Sequence, residues 1–69
     1  MLIHFSDPQC ADDLCAHFLR SGFTAEPAGP NTVAVTRPGA PTADAERRDI
    51  EIHLRVYQVA NPGAGAALA

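Results

Sequence analysis

Cys10, Asp13 and His17 come nearest, among the residues of this 69-residue chain, to a set that does chemistry. On a helix they fall at i, i+3 and i+7, one stripe across two turns. Thiolate, carboxylate and imidazole are all zinc ligands. A zinc site needs four ligands, or three that converge with a water as the fourth. A stripe two turns long converges on one ion only with help from another element. The expectation is therefore no metal and no cofactor, with Cys10, Asp13 and His17 kept as weak metal candidates. Cys10 has a second possible role. In the first helical turn the positive end of the helix dipole favours a thiolate, which would make it a reactive thiol. Asp12 and Asp13 oppose that charge. The plainer reading of Cys10 is a small, partly buried apolar residue.

Cys15 lies on the apolar side of the same helical pattern and is expected to pack in the core. Five residues of helix separate the two sulfurs by about 7.5 Å along the axis and about 140° around it, which does not suit a disulfide. Their spacing also matches no C-x-x-C motif. His4 falls in an apolar N-terminal run, and His53 reads as a solvated residue late in the chain. No nucleophile, base and acid stand at a recognisable spacing. Gly29 and Gly39 are isolated turn glycines rather than a phosphate loop.

Charge and composition exclude further classes. The net charge is −3, with five Arg, no Lys and eight acids. Arg47-Arg48 is the only basic pair, flanked by Asp44, Glu46 and Asp49. A counterion-displacing basic stripe is missing, so nucleic acid is not the expected partner. No run approaches the ~18 apolar residues of a membrane span, so no membrane is expected. Met1 to Phe5 has neither the basic start nor the long apolar stretch of a signal peptide, and a cytoplasmic location with reduced cysteines is the expectation. The hydrophobic fraction of 46% leans on alanine, with only three Phe and one Tyr. A core that small favours dimerisation as a way of burying more surface.

The elements that would position these residues can be read in order. Leu2–Phe5 is a short apolar strand. Ser6-Asp7-Pro8-Gln9 is a helix start, with Asp7 as cap and Pro8 in the first turn, or Ser6 and Gln9 as a capping box. Ala11, Leu14, Cys15, Phe18 and Leu19 recur at helical spacing, and Gly22 ends that helix. Phe23–Glu26 and Thr32–Thr36 read as strands joined by a five-residue turn cluster, Pro27 to Asn31. Residues 50–56 satisfy two periods. Ile50, Ile52, Leu54 and Val56 alternate as in a strand. Thr42 as cap, the i,i+4 pairs Asp44/Arg48, Arg47/Glu51 and Glu51/Arg55, and the stop at Asn61-Pro62-Gly63 favour a helix over about 42–60. The helix reading is preferred. A strand would instead complete a βαββαβ sheet.

The expected fold is α+β. It is a small βαββα two-layer sandwich with a truncated ferredoxin-like layout, in which both helices cover one face of a three-stranded sheet. Residues 1–62 would form the domain, and 63–69 a flexible tail whose last residues have the alternative of pairing with the sheet edge. The layout resembles half-ferredoxin or ACT-like regulatory modules, and only at the level of fold. The expected function is a non-enzymatic protein-interaction or regulatory module that pairs with itself or with another protein. Leu2 and His4 on the free first strand, and Ile52 and Val59 on the far side of the second helix, are the expected interface. The alternatives are a thiol- or metal-dependent function at Cys10, Asp13 and His17, and an ACT-like small-ligand sensor.

Overall fold

Where the chain alternates or turns at helical spacing, the computed structural model, which describes residues 1–69, builds the matching element. In order these are β1 (Leu2–His4), α1 (Ala11–Arg20), β2 (Thr24–Gly29), β3 (Thr32–Thr36), α2 (Ala43–Ala60) and β4 (Ala67–Leu68). A single 3-10 turn, Pro8–Cys10, leads into α1, and another, Pro62–Ala64, leads out of α2. Asp7 starts the first helical segment by accepting from the Gln9 N–H at 3.0 Å, with Pro8 in the first turn. Thr42 caps α2 by accepting from the Ala45 N–H at 3.0 Å. Both caps satisfy amides that have no partner inside the helix.

The strands make one antiparallel sheet in the order β2-β3-β1-β4. Ile3 pairs with Val33, and Ala25 pairs with Val35. Period-two alternation puts Ile3, Val33 and Val35 on the helix-covered face and Leu2, His4, Glu26 and Thr36 on the open one. The helices fill the covered face with Leu14 and Phe18 from α1 and Ile50, Leu54 and Tyr57 from α2. Phe5 and Phe23, at the ends of β1 and β2, close that core.

Residues 50–56 are helical throughout. The i, i+4, i+7 set Ile50, Leu54 and Tyr57 is buried, whereas Ile52 and Val56 point to solvent. The helical period therefore prevails over the alternating one, because one buried stripe suffices to seat the element on the sheet.

Two expectations are corrected. The sheet has four strands rather than three, and the edge of β1 is not free. Ala67 pairs with His4 and Leu68 with Ile3. Of the two fates open to the last residues, pairing is the one observed. Its physical reason lies just upstream. Ala64 and Ala66 are buried, the Ala64 carbonyl accepts from the Ser6 N–H at 2.8 Å, and the Gln58 side chain donates to the Ala66 carbonyl. Gly65 permits this path. Its φ is +63°, and a Cβ there would meet the Ser6 Cβ at 2.9 Å. The second correction concerns the β2–β3 hairpin. The turn is Pro30-Asn31 rather than five residues, because β2 runs on to Gly29 through an irregular register at Pro27 and Gly29. Asn31 takes the left-handed conformation that such a tight reversal needs.

Candidate functional site

The sequence candidates on α1 are placed by its packing against α2. His17 sits half-buried between the helices, and its Nε2–H donates to the His53 carbonyl at 2.8 Å. Its ring meets Phe18 edge-on and lies 5.4 Å from the Tyr57 ring. The nitrogen that reaches furthest is thus committed to a backbone oxygen. No three His, Cys, Asp or Glu side chains gather as a metal-holding group. The stripe Cys10, Asp13, His17 does not converge.

His53 is not the solvated residue expected from the sequence. It is half-buried, its ring stands 4.9 Å from Phe23, and its Nδ1–H donates to the Asp49 carbonyl at 2.9 Å. The two histidines therefore work as helix-to-helix and helix-to-sheet packing groups. Sequence reasoning missed this because His17 and His53 are 36 positions apart and nothing local couples them.

Both cysteines are free and half-buried. Burial, and then the Asp12 carboxylate, push the Cys15 thiol above its ordinary range, as suits an inert packing sulfur. Beside Cys10 lies the buried Tyr57 hydroxyl, which has no hydrogen-bond partner of normal geometry and only the Cys10 thiol near enough to serve as a weak one. Burial pushes Tyr57 up to about 12, helped by the nearby Cys10 sulfur and the Asp13 and Asp7 carboxylates. This corner gathers a thiol, a phenol and two carboxylates, with the His17 ring beside Tyr57.

The expected interface residues fall on two opposite sides of the molecule. Leu2 and His4 lie on the open face of the sheet, where the Thr32 hydroxyl donates to the Pro30 carbonyl and accepts from His4 Nδ1–H at 3.1 Å. Ile52 and Val59 lie on the outward side of α2, beyond the covered face. They are 55% and 79% exposed, and Val56 between them is 58% exposed. Val56 was not among the expected residues, although its i+4 spacing from Ile52 is a readable signal. At 100° per residue the three side chains span about 60°, centred opposite the Ile50–Leu54–Tyr57 stripe. Arg48, Glu51 and Arg55 border them along one flank and complete an open, shallow surface.

Three of the five exposed large aliphatic side chains of the protein lie on this outward face of α2, and Leu2 and Leu19 are the other two. No protein-family model, curated protein or solved structure matches the chain. No helix is long and apolar enough to cross a membrane.

Proposed function

We propose that the protein is a small, non-enzymatic interaction module that works as a homodimer through the outward face of α2. One observation carries the reading. Three large aliphatic side chains line up on the side of a helix that the fold does not use, all more than half exposed. Single exposed aliphatics are ordinary, whereas a row of them edged by charge marks a contact surface. The β4 pairing removes the sheet-edge argument for a dimer and leaves α2 as its whole support. Leu2 and His4 belong to a separate surface and are left out of the interface.

We read the fold as a ferredoxin-like sandwich. The strand order β2-β3-β1-β4 with two helices between strands supports that, and likeness of fold carries no activity. A reducing cytoplasm suits its two unpaired thiols.

A standard interface takes about 800 Å² from each partner, close to a fifth of the 4171 Å² surface of this chain. One helix face offers less, so the dimer is expected to be weak and concentration-dependent. Sedimentation equilibrium from low to high micromolar concentration tests it. A rise in weight-average mass that Ile52→Asp abolishes supports the reading. A monomer throughout, with the wild-type chain folded, contradicts it.

A further inference from the structure

We infer that Cys10 is a peroxide-sensing thiol, and that the oxygen it gains is the hydrogen-bond acceptor that the buried Tyr57 hydroxyl lacks. The site lies where the start of α1 meets the C-terminal part of α2. It does not depend on the dimer.

Tyr57 is only 4% exposed, and its hydroxyl is cut off from water. Buried hydroxyls nearly always have a partner, and one without calls for a cause, a redox role among them. The group near enough to serve is the Cys10 sulfur, a weak acceptor. Asp7 and Asp13 act on the phenol through their charge but do not bond it. Asp7 is engaged elsewhere, its Oδ1 accepting from the Gln9 N–H.

The backbone fixes the sulfur at this place. The Cys10 N–H donates to the Asp7 carbonyl at 3.0 Å, and α1 starts directly after Cys10. The Cys10 side chain packs against the core and is only part-buried, so a molecule as small as hydrogen peroxide can reach it. Cys15 makes the contrast. It is also part-buried, but burial and the Asp12 carboxylate keep its thiol protonated. It points about 140° away around the helix, so it does not close a disulfide with an oxidised Cys10.

The reaction balances with hydrogen peroxide alone. The Cys10 sulfur, on losing its proton, attacks one peroxide oxygen. The S–O bond forms as the O–O bond breaks, sulfur gives up two electrons, and the departing hydroxide takes the lost proton and leaves as water. The product is a neutral sulfenic acid. Its oxygen stands one bond length from the sulfur and accepts from the phenol as a thiol does not. The next product, a sulfinic acid, is an anion, and the Asp7 and Asp13 carboxylates oppose a second negative group beside them. Oxidation is thereby held at the reversible step. The same carboxylates slow the first step, so the site answers sustained peroxide rather than a trace.

The test uses the full chain and hydrogen peroxide. It is followed by intact mass, by dimedone, which traps sulfenic acids, and by peptide mapping. Cys10 should be oxidised at least about tenfold faster than Cys15. Tyr57→Phe should shorten the life of the sulfenic acid at least about threefold, by loss to sulfinic acid. Asp13→Asn should shorten it by a similar factor, and Asp13 is exposed, so this variant keeps the test open should Tyr57→Phe not fold. Thermal melts establish folding. Peroxide should also lower the melting midpoint of Tyr57→Phe more than that of the wild type, which a purely structural phenol would not cause. Cys15 reacting as fast as Cys10, no sulfenic acid at Cys10, or an unchanged sulfenic lifetime in either folded variant would each overturn the proposal.

Discussion

The two apolar faces of α2 each present three large apolar side chains and meet opposite fates. Ile50, Leu54 and Tyr57 are at most 4% exposed and hold the helix to the sheet. Ile52, Val56 and Val59, on the far side, are 55–79% exposed and lie outside the core. The inner face accounts for the helix. The outer one does nothing for a single copy, and large aliphatic side chains there cost solubility. The proposed function thus puts folding on one side of this helix and association on the other.

The largest expected effect comes from substituting the two faces in turn. Leu54→Ala should cost about 3 kcal/mol, by lost burial and the cavity left behind. That is a large share of the stability of a domain this small. Val59→Ala should change folding stability by less than about 0.5 kcal/mol, since it empties no core and alanine favours helix. Urea unfolding of the two variants measures the contrast, and equal losses would erase it.

A second prediction concerns what holds α2 at its C-terminal end. Gly65→Ala should cost about 1–3 kcal/mol, because it combines a positive φ with a collision at Ser6. Hydrogen exchange should then quicken at Ala69, whose N–H donates to the Leu2 carbonyl, before it quickens in the centre of α2. Unchanged exchange at Ala69 would mean that β4 contributes nothing to the first strand.

The smallest effect lies at Tyr57. Tyr57→Phe removes a buried hydroxyl whose one neighbour for a hydrogen bond is the weakly bonding Cys10 thiol, and should change stability by less than about 1 kcal/mol in either direction. The sign of the pH effect follows from its raised value. The folded state keeps the phenol neutral up to about 12, whereas the unfolded chain ionises near ~10. Stability is therefore whole below the unfolded value and falls as pH rises from there through the folded one. The phenylalanine variant should lack that part of the alkaline loss.

Much of this architecture was legible in the residues. Asp7-Pro8 and Thr42 announced the two helix starts, and the β-branched run 32–36 announced β3. The double period of 50–56 was readable as a helix through its i,i+4 charges, and Arg47 to Glu51 is the pair that forms, at 3.0 Å. Two features were less legible. The pairing of Ala67 and Leu68 stood only as the alternative to a flexible tail, since both lack strand propensity and are carried to the sheet by the burial of Ala64 and Ala66 ahead of them. The packing roles of His17 and His53 depend on a helix–helix contact that no local pattern encodes. Cys10, Asp13 and His17 had the spacing for a shared stripe, but one stripe of a helix does not make its side chains converge.

Dilution of the wild-type chain, followed by methyl NMR, tests the central claim most directly. The account predicts that Ile52, Val56 and Val59 methyl signals move with concentration while those of Ile3, Val33 and Val35 stay fixed. Signals that hold still at every concentration, or that move only at Leu2 on the open sheet face, would contradict it.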